Sequence, residues 1–314
     1  MFGRRKNQDL PKGGFGKKMT SREWKQATIR RNQSAILNEN TAFVIKEAYK
    51  IARTNIIFSV AGSGEPECKV IAVTSASPGE GKTTTCLNLA ITFAQTGAKT
   101  LIIDADLRKP RIHQYLGVVK TNGLSTILSN QKDFDSVVFR NIRGSLDCLA
   151  SGSIPPNPAE LLASDAMTNL INELKKEYEY IFIDTPPVTI VTDAVALSSN
   201  LHGVVVVVRE GMTSHENIEN AITLLKIAKA KILGFFVNDI DPSATSYGAA
   251  YQSSYGRRYS YHYGYKYAYK YAYKNRSHSS YNYSDKPEMP AIDPAELKAA
   301  EPSQSADDSN SEKE

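Results

Sequence analysis

Apolar positions along this chain fall into two kinds of pattern. Five short runs are rich in β-branched residues and show little polar alternation: Val70–Thr74, Thr100–Asp104, Tyr180–Asp184, Gly203–Val208 and Ile232–Val237. Runs of that kind predict strands buried on both faces, as in a parallel sheet covered by helices. Elsewhere apolar residues recur at helical spacing. Ile218, Ala221, Ile222, Leu225 and Ile227 mark one helix within Ser214–Ala230. Thr41–Val60, Thr83–Thr96 and two helices within Pro158–Tyr178 complete the expected set. Alternating strand and helix predict an α/β fold with a doubly wound, mostly parallel sheet. Right-handed crossovers in such a sheet bring the strand C-termini to one edge, where ligands bind.

The pattern stops near Asp241-Pro242, and composition divides the rest of the 314 residues. Residues 1–31 hold ten Lys/Arg against Asp9 and Glu23, and residues 285–314 hold nine Asp/Glu against three lysines. The overall charge of +5 therefore hides a basic head and an acidic end. Segments so biased and so poor in core residues do not pack. The expected division is a basic leader over 1–40, a folded domain over 41–242, a tyrosine-rich tail over 243–284 and an acidic end over 285–314. Thirteen of the 17 tyrosines lie between Tyr247 and Tyr283. At its centre the tail alternates strictly, Tyr265-Lys266-Tyr267-Ala268-Tyr269-Lys270-Tyr271-Ala272-Tyr273-Lys274. It lacks Val, Ile and Leu, so it has nothing to pack a second sheet with.

Cys68, Cys86 and Cys148 form no Cys-x-x-Cys pair, which argues against a disulfide scaffold or a zinc site and favours a reducing compartment. No apolar run approaches the length of a membrane span, and the basic start lacks the apolar stretch of a signal peptide. A membrane link is expected to come through a partner or through surface charge.

The first strand runs into Ala76-Ser77-Pro78-Gly79-Glu80-Gly81-Lys82-Thr83-Thr84, and a helix leaves it. That is the context a nucleotide-phosphate loop requires. Gly79 and Gly81 let the backbone turn its N–H groups onto phosphate oxygens, Lys82 reaches the terminal phosphates, and the Thr83 hydroxyl can ligate Mg²⁺. Glu80 and Thr84 lie in the same cradle. Ala76 stands where the usual pattern has its first glycine. Two later strands end in carboxylates, Asp104-Ala105-Asp106 and Asp184, which can hold Mg²⁺ directly or through water. Arg108 is an anion-binding candidate, with an ordinary surface arginine as the alternative.

Three motifs together resemble the bacterial tyrosine kinases: the Ser-x-Pro-Gly-Glu-Gly-Lys-Thr loop, the aspartate motif ending Arg108-Lys109-Pro110, and Ile183-Asp184-Thr185-Pro186-Pro187. The segment Gly152-Ser153-Ile154-Pro155-Pro156-Asn157-Pro158-Ala159-Glu160-Leu161-Leu162 and the tyrosine cluster are similar to that family too. The resemblance spans roughly Lys46 to Asp241 and is strongest to the cytoplasmic subunit of the split, Gram-positive form. It implies a P-loop NTPase fold of the deviant-Walker type that uses ATP and Mg²⁺. Asp104 would take the acceptor's proton, Asp106 and Asp184 would help hold the metal, and Asn238 would contact the adenine. Glu47, Lys50 and Arg53 sit where the family has a Glu-x-x-Arg-x-x-Arg oligomerisation motif, with lysine replacing one arginine. Tyr255, Tyr259, Tyr261, Tyr263, Tyr265, Tyr267, Tyr269, Tyr271 and Tyr273 would be phosphoacceptors.

The resemblance further implies a separate transmembrane activator, a ring-shaped homo-oligomer in the unphosphorylated state, a tyrosine phosphatase and other protein substrates. It places the protein in the cytoplasm, at the inner face of the membrane, regulating capsular or extracellular polysaccharide synthesis and export. Two other readings compete. One is a partitioning or cell-division ATPase switch, although such proteins carry a lysine where this loop has Ser77. The other is a tail that binds single-stranded nucleic acid by stacking tyrosines among basic residues, a partner class not otherwise expected here.

Overall fold

The computed structural model describes residues 32–61 and 68–240, together with residues 20, 26, 27 and 29. The tyrosine-rich segment with Tyr255 to Tyr273, the acidic end and most of the basic leader lie outside the described residues.

The elements follow in the order α1 (Phe43–Val60), β1 (Lys69–Ser75), α2 (Lys82–Ala94), β2 (Thr100–Asp104), α3 (Ile112–Leu116), α4 (Leu124–Leu128), α5 (Phe134–Val137), β3 (Phe139–Arg143), β4 (Leu146–Leu149), α6 (Pro158–Leu162), α7 (Asp165–Leu174), β5 (Tyr180–Asp184), α8 (Asp193–Ala196), β6 (Gly203–Arg209), α9 (His215–Ile227) and β7 (Ile232–Asn238). A short 3₁₀ turn, Ser198–Asn200, precedes β6. The strands form one seven-stranded sheet in the order β3-β4-β2-β5-β1-β6-β7. Only the β3–β4 pair is antiparallel. This is a doubly wound α/β domain, and the switch in strand order falls beside β1, where a ligand crevice is expected.

All five apolar runs are strands. Alternate residues of each central strand feed opposite faces, so helices must cover both. On one face Ile71, Val73, Ile102 and Phe182 pack with α1 and α2, and on the other Val70, Leu101, Ile103 and Ile183 pack with Met167, Ile171 and Leu174 of α7. Helix α2 is buried along nearly its whole length, between the sheet and α1. The core thus clamps the helix that leaves the phosphate loop.

The hairpin β3–β4 carries no clear apolar run and was not expected. Its outer strand, Phe139-Arg140-Asn141-Ile142-Arg143, is largely polar and only partly buried. The folded body also begins before residue 41. Ile36 and Leu37 are buried, and Asn88 of α2 holds them by accepting from the Leu37 N–H at 2.9 Å and donating to the Ala35 carbonyl at 3.1 Å. Two apolar residues in a charged stretch make no periodicity, so the charge pattern assigns them to the leader.

Candidate active site

Parallel pairing of β2 with β5 sets Asp104 directly opposite Asp184. The phosphate loop leaves the next strand, β1, on the other side of β5. Three strand ends therefore deliver two carboxylates and the loop to one place. Gly79 and Gly81 adopt φ of +89° and +93°, a region that a side chain disfavours. A Cβ on Gly81 would lie 2.1 Å from the Asn238 amide nitrogen, so a larger residue there would be strained by its φ and would displace the Asn238 side chain. Lys82 opens α2 and reaches back across the site. Its Nζ donates to Asp106 Oδ2 at 3.0 Å and to the Thr83 hydroxyl at 3.3 Å, and stands 3.9 Å from Asp184 Oδ1.

The carboxylates are unevenly satisfied. Asp106 Oδ1 accepts from the Lys109 N–H at 2.9 Å, which closes its own loop. Asp104 Oδ2 accepts from the N–H groups of Arg111 and Ile112 at 3.1 and 3.0 Å. Asp104 Oδ1 and both Asp184 oxygens are buried and accept no hydrogen bond among the described residues. Burial, reinforced by the facing Asp184, pushes the Asp104 carboxyl well above its usual range. Burial raises Asp184 to about 6, with the Lys82 charge opposing the rise. Burial also works against the Lys82 charge, but Asp184 and Asp106 outweigh it and hold the pKa above the ordinary lysine value.

Buried oxygens left without partners are costly, and a bound cation is a common resolution. Among the described residues no three His, Cys, Asp or Glu side chains converge into a metal cage. Mg²⁺ does not need one, because it takes one or two carboxylates and draws its other ligands from water and substrate phosphate. Asp184, with Thr83 beside it, fits such a site, whereas Asp106 already has both oxygens engaged, by Lys82 and by the Lys109 N–H.

Several sequence expectations change in detail. Glu80 does not offer its carboxylate to a ligand. It is fully buried and braces the loop, accepting from the Ser77 N–H at 2.8 Å and from the Thr213 hydroxyl at 2.5 Å. Asn238 donates to the Glu80 carbonyl at 3.1 Å, so its amide also supports the loop from behind. The Thr84 hydroxyl meets that of Tyr115 at 3.1 Å. Arg108 is not a free anion site, because it forks onto the buried Asp193 at 3.0 and 3.1 Å. That pair ties the loop after β2 to the start of α8. Asp193 and Thr213 were not expected, since neither lies in a motif and only the fold brings them to the site.

Residues 68–233 match the AAA domain family. Tyrosine-protein kinase YwqD of Bacillus subtilis (strain 168) is 39% identical over 216 residues, which cover 67% of this chain and 90% of that protein. The chain belongs to the bacterial tyrosine-protein kinases. The putative tyrosine-protein kinase CapB of Staphylococcus aureus is 36% identical to this kinase over 65% of its chain and 89% of CapB. Among solved structures, the chimerical protein CapA2B2 superposes on the kinase with a TM-score of 0.62 at 35% identity, covering 66% of this chain and 90% of that one. The kinase domain of Escherichia coli ETK gives 0.60 at 30% identity, covering 64% and 78%. The deviant phosphate loop, with Ala76 and Ser77, therefore serves a P-loop fold that transfers phosphate to tyrosine.

The oligomerisation candidates lie on α1. Lys50 pairs with Glu47 at 2.7 Å, and Arg53 donates to the Thr92 carbonyl of α2 at 2.7 Å. All three residues thus have partners within the chain. Val44, Ala48, Ile51, Asn55 and Phe58, at alternating spacings of four and three along the same helix, are exposed.

Proposed function

We propose that this kinase transfers phosphate from ATP to the tyrosines between Tyr255 and Tyr273, on another copy of itself, and thereby regulates capsular or extracellular polysaccharide synthesis and export. The observation that carries this reading is the facing pair Asp104 and Asp184, buried with unsatisfied oxygens beside Lys82.

The loop amides from Gly79 to Thr84 and the start of α2 cradle the phosphates. Lys82 neutralises charge where it accumulates during transfer, and the low-dielectric setting strengthens that effect. Thr83 and Asp184 would hold Mg²⁺, with Asp106 joining them once Lys82 turns to the phosphates, and the ion would screen the triphosphate from an attacking oxygen. Asp104 keeps Oδ2 on two backbone N–H groups and has Oδ1 free to accept the phenol proton. A tyrosine hydroxyl has a pKa near 10 and needs such a base at neutral pH. Asn238 lies at the end of β7, beside the loop, where it would contact the adenine.

A row of closely spaced phenols raises the local concentration of acceptors at any one site. Each phosphate adds about −1.5 to −2 charges, so successive transfers favour dissociation of a ring assembled through α1. Among the described residues no helix is long and apolar enough to cross a membrane. A transmembrane activator would supply recruitment to the inner face of the membrane, and a tyrosine phosphatase would reset the tail. The test is phosphosite mapping by mass spectrometry after incubation with Mg-ATP, with and without a candidate activator. Wild type should gain phosphate on several of the nine tyrosines and Lys82→Met on none, whereas unmodified wild-type tails in the presence of activator would sink the reading.

A further inference from the structure

The Pro-Pro-Asn-Pro segment is a motif that the phosphate site leaves unused. It follows β4, which lies next to β2 in the sheet, so it leaves the sheet beside the loop that carries Asp104 and Asp106. Its backbone is tightly braced. The N–H groups of Leu124 and Ser125 donate to the carbonyls of Ala150 and Ser151 at 2.8 and 2.9 Å. The Ser125 hydroxyl donates to the Ser153 carbonyl at 2.6 Å. Gly152 has a φ of +79°, and a Cβ there would lie 2.5 Å from the Ser125 oxygen, so this residue must be glycine for the brace to close. The braced loop then turns outward with Ile154, which is 58% exposed and precedes two prolines.

On the other side of β2, the loop after β5 is built in the same way. The Thr74 hydroxyl donates to the Pro186 carbonyl at 2.8 Å, and the Val188 N–H donates to the Ser75 carbonyl at 3.0 Å. This loop holds Ile190 out at 63% exposure. The helices that follow the two loops, α6 and α8, pack on each other. A large apolar side chain is therefore held in water on each of the two loops that flank the one bearing Asp104 and Asp106.

We propose that Ile154 and Ile190 are the acceptor shelf of this kinase, the apolar contacts that receive the phenol ring of an incoming tyrosine while its hydroxyl is directed to the aspartate loop. An aromatic ring gains from apolar contact, and its polar tip must reach a partner. A serine hydroxyl sits too close to its own backbone to use both. Because the loops are braced in advance, little ordering cost remains for binding. The inference rests on the reading that acceptors approach Asp104 and Asp106.

A labelled synthetic peptide with the sequence of residues 263–274 tests it, titrated with the full chain in Mg-ADP and followed by fluorescence anisotropy. Ile154→Ser and Ile190→Ser should each weaken peptide binding by about ten-fold, the loss of one good apolar contact. Affinity for a non-hydrolysable ATP analogue and the thermal midpoint should stay at wild-type values. A peptide with every tyrosine replaced by serine should bind the wild type at least as poorly as the variants bind the original. Equal peptide affinities for wild type and both variants would overturn the shelf, as would a wild type that does not distinguish the two peptides. Phosphorylation that survives Lys82→Met would instead defeat the nucleotide-site reading beneath it.

Discussion

At the N-terminal edge of the sheet, Asp147 is buried and fully engaged. It accepts from the Asn141 N–H at 2.7 Å, the Tyr178 hydroxyl at 2.7 Å and the Arg140 guanidinium at 2.9 Å. Arg140 extends the network to Asp135 and Glu177, and so pins the β3–β4 hairpin to the turn before β5. At the C-terminal edge, Asp184 is just as deeply buried, yet among the described residues its oxygens meet no hydrogen-bond donor at close range, and the Lys82 ammonium stands 3.9 Å away. Both carboxylates lost their water on folding; Asp147 regained three hydrogen bonds from the protein, whereas Asp184 gained chiefly the more distant charge of Lys82. A satisfied buried charge holds structure together, whereas an unsatisfied one is tolerated where a ligand supplies the missing partner.

The contrast can be broken from either side. Lys82→Met should reduce tyrosine phosphorylation by about 10²- to 10³-fold or more, as for loss of a preorganised charge contact, with circular dichroism confirming an intact fold. Asp147→Ala should cost stability instead. It strands Tyr178, the Asn141 N–H and part of Arg140, and an expected loss of about 2–4 kcal/mol would appear in urea melts. Asp184→Asn should behave in the opposite sense. Without metal or nucleotide at pH 7 it removes a buried charge whose pKa is held near 6, so the variant should be about 1–3 kcal/mol more stable than wild type while losing activity. A destabilised Asp184→Asn in EDTA would show that its carboxylate serves the fold. Lys50→Ala should have the smallest effect on unfolding, below about 0.5 kcal/mol, because its bond to Glu47 is an exposed pair on one helix. Light scattering on the same variant tests the proposed ring: an unchanged size would show that the Lys50 charge is not needed for it.

The two regions were also unequally legible in the sequence. The strands that reach Lys82, Asp104 and Asp184 are unbroken apolar runs, and their C-terminal ends carry motifs. The fold class and the convergence of these residues follow from that pattern. The Asp147 network was invisible. Its residues come from the β3–β4 hairpin, the four-residue helix α5 and the turn before β5, with no period and no fixed spacing. The short helices α3, α4 and α5, of five, five and four residues, are too brief to show a helical repeat. Within the site, motif reading names residues by their place in the chain, and it does not show which side chains turn inward to brace the loop. Glu80 lies in the loop motif, but its carboxylate turns inward to Thr213, which is 133 residues away along the chain. Arg108 lies in the aspartate motif, but its partner Asp193 becomes apparent only once β2 and β5 are neighbours. Sequence spacing gives the direction of a strand end but not the rotamer of the side chain it carries.

Mixing two complementary variants shows whether Lys82 and its aspartates act on the tail tyrosines of another copy. One chain carries Lys82→Met and an intact tail, and the other has a wild-type site and phenylalanine at all nine tail positions from Tyr255 to Tyr273. Incubated together with Mg-ATP and activator, they should yield phosphate on the Lys82→Met chain, mapped by mass spectrometry to several of those tyrosines. A Lys82→Met chain that remains unmodified in the mixture, while wild type alone is phosphorylated, would contradict transfer between copies.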